Sequence, residues 1–357
     1  MKKIRIFAFP SHGTIERTSG VDFARIIQPM EHLSKHPDFD VHIFKPGEKA
    51  NWREVAENYD IVYFNYLNNA LGFAHMGCEA RVKGRKLVMD LDDALWDILN
   101  DNPAYEVYKP EGQAIKNFTS ICNEVDAITT TSMYLKHVIN NNTKKHPLDV
   151  KVFPNYIDLD LYSHRCEFKD THEITLLHFG STTHFMDLEE EEFMKGVDKI
   201  MNEYPNIKFK TVGALIPNYR ERWGRRYENA FGDPDIYKWI KDKYPSYMDE
   251  TDILVVPLKK SIYTKAKSSI KFLEASAAKK PGVWQNIRQY DEVIDGNNGF
   301  LAESADDWYQ SLKILIDDKT LRRKMGERAF ATVEKDWKIQ DKVEDYATYF
   351  KKIFDSR

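Results

Sequence analysis

Cysteine is scarce in this chain: Cys78, Cys122 and Cys166 are the three in 357 residues, widely spaced and odd in number. That excludes a disulfide framework and a cysteine-rich metal cluster, and it leaves three thiols expected to be buried and reduced. Long hydrophobic runs are also missing. No stretch reaches the roughly 18 apolar residues of a membrane-spanning helix, and the run after Met1-Lys2-Lys3 is broken by Arg5 and Pro10 before it could form a secretory signal core. A cytoplasmic protein with no membrane span is the expectation. Positive charge is not in excess, with 52 Lys and Arg against 56 Asp and Glu and a net charge of −4. No global field therefore advertises nucleic acid or acidic lipid, although a local basic face is not excluded. No repeats or low-complexity tracts stand out.

What is present is a globular composition, 42% hydrophobic, 30% charged and 13% aromatic. The length suits two domains, because a single core rarely grows past about 250–300 residues. Short β-branched and aromatic runs alternate with helix-period segments, the pattern of βα units around a parallel sheet. Strands are expected at Ile4–Phe9, Val41–Phe44, Ile61–Tyr66, Lys86–Met89, Ala127–Thr130 and Lys151–Phe153. Helices are expected at Val21–Ser34, Ala74–Val82, Ala114–Glu124 and Met133–Asn140. The pattern restarts with strands at Ile174–Phe179, Ile207–Val212 and Ile253–Pro257. The fold class is thus α/β, with two Rossmann-like doubly wound units: residues 1–165, residues 166–336 after a polar linker at 164–172, and a terminal amphipathic helix in 337–357 placed to return to the first unit.

The stretch Lys265-Ala266-Lys267-Ser268-Ser269-Ile270-Lys271-Phe272-Leu273-Glu274 follows a strand closely. Ser268 or Ser269 can cap a helix that starts at the carboxyl end of that strand, where open α/β sheets bind ligands. Lys267, Lys271 and Glu274 are spaced to share one helical face, with Ile270, Leu273 and Ala277 turned to the core. A helix start and two lysines suit a diphosphate, and a carboxylate suits the vicinal hydroxyls of a ribose. An exposed, salt-bridged helix face accounts for the same spacing. A second anchor is His178-Phe179-Gly180-Ser181-Thr182-Thr183-His184, where Gly180 permits close backbone approach and Ser181 can donate to phosphate. It is neither G-x-G-x-x-G nor a Walker loop, and a structural glycine turn is the alternative.

Together with Asp252-Ile253-Leu254-Val255-Val256-Pro257 and Asp295-Gly296-Asn297-Asn298-Gly299, these stretches resemble the GT-B glycosyltransferases of the large retaining group related to glycogen and sucrose synthases. The likeness runs from Ile174 to about Trp337. It implies two Rossmann-like domains facing across a cleft, a nucleotide-sugar donor held mainly by the second, and retention of anomeric configuration. It implies no cofactor beyond the nucleotide sugar, which is a co-substrate, and no metal. Glu274 matches the second of the family's two glutamates, which holds the donor ribose; the first falls at Ala266, a departure. Ser19-Gly20-Val21 resembles the glycine loop that closes over the donor, and Pro154-Asn155-Tyr156-Ile157-Asp158 the link between domains.

Asp90-Leu91-Asp92-Asp93 has the aspartates with which metal-dependent, single-domain glycosyltransferases hold a divalent ion. Its place in the first unit favours acceptor contact by Asp92, against simple capping of the next turn. His12 is a cleft candidate by position, or a solvated loop histidine. The block Arg220-Glu221-Arg222-Trp223-Gly224-Arg225-Arg226-Tyr227 interleaves basic and aromatic residues, as in phosphate contact with base stacking or as in a surface loop. Glu189–Glu192 reads as an acidic first helical turn.

The expected activity is therefore transfer of a sugar, UDP-linked on family frequency, to a hydroxyl acceptor with Lys267, Lys271 and Asp92 in catalytic roles. Gly20, Gly180, Ser181, Ser268, Ser269 and Glu274 are placed at the donor. A glycan, protein or small molecule ranks first as acceptor. DNA with a hydroxymethylated base ranks second, on Arg225, Arg226 and a lysine-, asparagine- and tyrosine-rich style common in phage proteins. A nucleotide-sugar epimerase and a non-catalytic sugar-nucleotide-binding protein are the readings of other classes. Neither the oligomeric state nor the sugar is legible.

Overall fold

The computed structural model describes residues 3–11, 19–45, 48–144, 148–162, 172–180, 184–213, 216–230 and 246–356. Two six-stranded parallel sheets organise them. The first has β1 (Ile4–Phe9), β2 (Phe39–Ile43), β3 (Ile61–Asn65), β4 (Lys86–Leu91), β5 (Ala127–Thr130) and β6 (Asp149–Val152) in the order β2-β1-β3-β4-β5-β6. The second has β7 (Ile174–Gly180), β8 (Ile207–Gly213), β9 (Tyr227–Ala230), β10 (Ile253–Val256), β11 (Gly282–Gln285) and β12 (Phe300–Ala302) in the order β12-β11-β10-β7-β8-β9. Central strands such as β3, β5, β10 and β11 are buried along their whole length, as parallel strands covered by helices on both faces must be. The strand order reverses between β1 and β3 and again between β7 and β10, and in such sheets ligands bind beyond the carboxyl ends at that reversal.

Expected strands β1 and β5 coincide with the observed ones and the others differ by one or two residues at an end, whereas β9, β11 and β12 are additions. The expected helix 21–34 runs from Gly20 to Leu33 with a π-helical turn at Phe23–Ile27. Two of the three expected thiols are described. Cys122 is buried, but Cys78 lies on the outer face of the helix Ala70–Val82 and is exposed, which corrects the expectation of uniform burial. The expected linker falls largely outside the described residues.

The chain crosses between the sheets twice. Residues 153–158 lead out of the first, and after the long helix Lys319–Asp336 the chain returns through Trp337 and a short 3-10 turn to the helix Val343–Asp355. That last helix packs on the first sheet: Tyr346 stacks on Phe153 at 4.1 Å between ring centres, and Phe350 meets Tyr63 edge-on at 5.2 Å. The two crossings touch. Ile157 N–H donates to the Trp337 carbonyl at 2.9 Å, and Ile339 N–H donates to the Ile157 carbonyl at 3.0 Å, a parallel bridge between them.

Candidate active site

A cleft of about 1030 Å³ opens between the carboxyl ends of the two sheets. From the second unit it is lined by Gly180, Lys267, Ser268, Ile270, Lys271 and Glu274, and from the first by Ser19, Gly20, Arg25, Asn68, Asp92 and Asp93 among others. The helix carrying Lys271 and Glu274 is Ile270–Ala277, so Lys267 stands in the turn before it and not on its face. Ser269 occupies the cap position, but its hydroxyl donates to Glu292 Oε1 at 3.0 Å and no side chain caps this helix start. Ser268 is engaged differently, its hydroxyl accepting from Asn155 Nδ2 at 2.6 Å. Ile270 was expected in the core; it is half-buried, with one side on the cleft.

The two lysines have unlike partners. Lys267 Nζ donates to Asp93 Oδ1 at 2.6 Å and lies 4.7 Å from the centre of the Tyr263 ring, whose hydroxyl donates to Asp93 Oδ2 at 2.9 Å. Burial works against the charge of Lys267, but Asp93 overrides it and raises the lysine pKa; burial likewise works to raise Asp93, and Lys267 holds it low. Lys271 Nζ is instead 3.2 Å from His184 Nε2. His184 Nδ1 is 2.8 Å from Asp187 Oδ2, so the imidazole donates to the carboxylate and accepts from the ammonium. Burial and the neighbouring Lys267 push Lys271 down to about 8, and burial with Lys271 pushes His184 well below its usual range. A cation whose proton is already weakly held gains most when an anion arrives.

Gly180 ends β7 against these histidines. A Cβ there would lie 2.8 Å from His178 Nε2 and 2.9 Å from His184 Cβ, so no side chain fits. His178 is fully buried, donates from Nδ1 to the Val255 carbonyl at 2.9 Å, and its Nε2 has no partner among the described residues. Burial and Lys271 push its pKa down to about 3, which keeps it neutral.

Across the cleft, Ser19 caps the helix start at Gly20 in a reciprocal box with Asp22, and a Cβ on Gly20 would meet nothing within 4 Å. The π-helical turn aims Arg25 into the first unit, where its guanidinium grips Asp90 at 2.9 and 2.8 Å and donates to the Phe153 carbonyl at 2.8 Å and Asn155 Oδ1 at 2.9 Å. Asp90–Arg25–Asn155–Ser268 is thus one buried chain from the first sheet to the edge of the cleft. Asp92 is pushed up to about 8 by burial and by Asp93, so at neutral pH it presents a protonated carboxyl.

Several expectations fall elsewhere. His12 and Ser181 lie outside the described residues. The basic-aromatic block is a helix, Pro217–Trp223, and a 3-10 turn leading into β9. Its Trp223 and Tyr227 are buried with Tyr219 in the core of the second unit, so they cannot stack on bases. Arg226 donates to the Met201 carbonyl at 2.6 Å and the Tyr204 carbonyl at 3.2 Å, Arg225 is exposed, and neither borders the cleft. Ala266, where the first family glutamate was expected, is fully buried with Tyr263 in the core of the first unit, beside Leu91, Ala94 and Leu95. The Lys271–His184–Asp187 chain and the Asp93 clasp were missed by sequence reasoning; the His-x-x-Asp spacing on a turn was the available signal.

Residues 174–318 match the family Glycosyl transferases group 1. The second unit is a group 1 glycosyltransferase domain. No curated protein matches the chain. Sucrose-phosphate synthase from Thermosynechococcus elongatus superposes with a TM-score of 0.65 at 13% identity, covering 99% of both chains. HepE from Anabaena, in complex with UDP and glucose, superposes with a TM-score of 0.64 at 14% identity over 98% of this chain and all of that one. TarM gives 0.61 at 12% identity over 83% of this chain and 55% of that one, so the chain spans about half the length of TarM. At these identities the likeness establishes the fold, two Rossmann-like units in the GT-B arrangement. No helix among the described residues is long and apolar enough to cross a membrane.

Proposed function

We propose that the chain transfers a sugar from a nucleoside-diphosphate donor to a hydroxyl acceptor, with retention of configuration and without a metal ion. The observation that carries this is the convergence of an uncapped helix start, Lys271 and Glu274 on one interdomain cleft. Backbone N–H groups and the ammonium would take the diphosphate, and Glu274 would accept from the ribose hydroxyls. UDP is the favoured nucleotide because HepE, with the same fold, binds UDP and UDP-glucose. The fold-level likeness also supports retention. In that group the leaving phosphate oxygen receives the acceptor proton as the glycosidic bond breaks and the new one forms, so the protein mainly stabilises charge on the diphosphate. Lys271 stands where that charge would grow. Metal independence is supported by Asp93, which is already engaged by Lys267 and Tyr263.

On the acceptor side, Asp92 and Asn68 border the cleft with Tyr66 and Tyr108, a set suited to sugar hydroxyls and ring faces. The test is mass spectrometry of a glycan acceptor library after incubation with UDP-sugars, with and without EDTA. Transfer that persists in EDTA is expected. Complete loss, restored by manganese, would move the diphosphate to the aspartates, and donor conversion with no acceptor product would favour an epimerase.

A further inference from the structure

We propose that Asn155 is a positioning residue for the sugar donor: held by Arg25, it turns the Ser268 hydroxyl so that its hydrogen is presented to the diphosphate. The inference rests on the glycosyltransferase reading above. Asn155 is buried in the segment that leads out of the first sheet toward the second unit. The helix Gly20–Leu33 grips that segment on either side of it. Arg25 donates to the Phe153 carbonyl at 2.8 Å, Gln28 Nε2 donates to the Tyr156 carbonyl at 2.9 Å, and the Asp158 N–H donates to Gln28 Oε1 at 3.3 Å. The backbone around Asn155 is therefore pinned at three points.

The direction of each hydrogen bond follows from what the groups can do. A guanidinium has donors and no acceptor, so the Asn155 atom 2.9 Å from Arg25 must be the amide oxygen. The other end of the amide, 2.6 Å from Ser268 Oγ, is then the NH2 group, which only donates. Arg25 cannot turn to allow the opposite arrangement, because Asp90 holds it in a two-point grip at 2.9 and 2.8 Å.

Ser268 Oγ is thus the acceptor in its bond to Asn155, and its own hydrogen has no acceptor among the described residues. The residue is half-buried, lines the donor cleft and stands just before the uncapped helix start at Ile270. With a lone pair taken from the protein side, the hydroxyl keeps its hydrogen for an anion in the cleft, and a bond to a charged oxygen is stronger than one to a neutral group. A serine alone could face either way. Asn155 sets the direction.

Asn155→Asp tests that direction, since it keeps the shape of the side chain and its contact with Arg25 but offers Ser268 an acceptor, so that the hydroxyl turns back to the protein. Calorimetric titrations with UDP and with uridine are compared on the native protein, Asn155→Asp, Ser268→Ala and the double variant. Affinity for UDP should fall about tenfold or more in each single variant, the size of one hydrogen bond to a charged group, while uridine, which has no phosphate, should bind as it does to the native protein. Repulsion between the new carboxylate and the diphosphate acts with or without the hydroxyl, so the double-mutant cycle removes it: the double variant should fall short of the product of the two separate losses by about tenfold. If Asn155→Asp does not melt cooperatively, the neutral Asn155→Leu carries the same cycle with a coupling of about threefold, as for a neutral hydrogen bond. Losses that multiply fully in folded variants, or uridine weakened as much as UDP, would overturn the assignment of Asn155 and leave the glycosyltransferase reading standing. Failure of the native protein to bind UDP would instead overturn that reading.

Discussion

Lys267 and Lys271 are four residues apart and look alike in the sequence, yet they stand in opposite electrostatic situations. Lys267 is neutralised by Asp93 across the domain boundary and leans on Tyr263. Lys271 faces a neutral imidazole, and its proton is loosened by burial and by Lys267 itself. Charge that already has a partner holds structure together. Charge held beside a neutral group is available to a ligand, so in the proposed function Lys267 would hold the seam between the units and Lys271 would take the diphosphate.

The comparison breaks most visibly in Lys271→Met. Turnover should fall by about a hundredfold or more, the usual loss when one charge-stabilising donor is removed, with a smaller change in donor affinity. Steady-state kinetics at saturating donor checks it, and a loss confined to KM would make Lys271 a ground-state anchor. Next comes Glu274→Ala, expected to weaken UDP binding by ~1.5–3 kcal/mol, as for a hydrogen-bonding charged group. Calorimetric titration with UDP measures this, and an unchanged Kd in a folded variant would remove the ribose assignment.

Lys267→Met should lower turnover less than Lys271→Met and melting temperature more, because it strands the half-buried Asp93. Kinetics and thermal melts on the two variants side by side decide between them; equal turnover losses would mean that Lys267 leaves Asp93 for the donor. The smallest effect is in pH dependence. Lys271 is charged below about 8 in the donor-free protein, so kcat/KM for the donor should fall as pH rises through that value. Lys271→Arg should move this alkaline fall out of range, and a fall that persists would assign it to another group.

The βα alternation was legible because apolar runs and helix periodicity are local properties, and the candidate cleft residues followed from where strands end. β9, β11 and β12 were not legible: Tyr227–Ala230 carries polar residues, Gly282–Gln285 opens on a glycine, and Phe300–Ala302 has three residues. Tyr219, Trp223 and Tyr227 recur every four residues, which is the spacing of a buried face, and that signal should have outweighed the intervening arginines. The partners of the two lysines could not be read, since Asp93 and His184 lie 174 and 87 residues away from them. The first pairing depends on how two units dock and the second on how the turn after β7 packs against the helix Ile270–Ala277, and no local window contains either.

The two crossings between the units, tied to one another at Ile157, Trp337 and Ile339, set the mechanics of the cleft. A single connecting segment would leave the units freer to twist and slide than two crossings joined by a β-bridge do. Any parting of the two units must break the Asp93–Lys267 contact, so that ion pair and the Ile157 bridge together resist opening of the cleft.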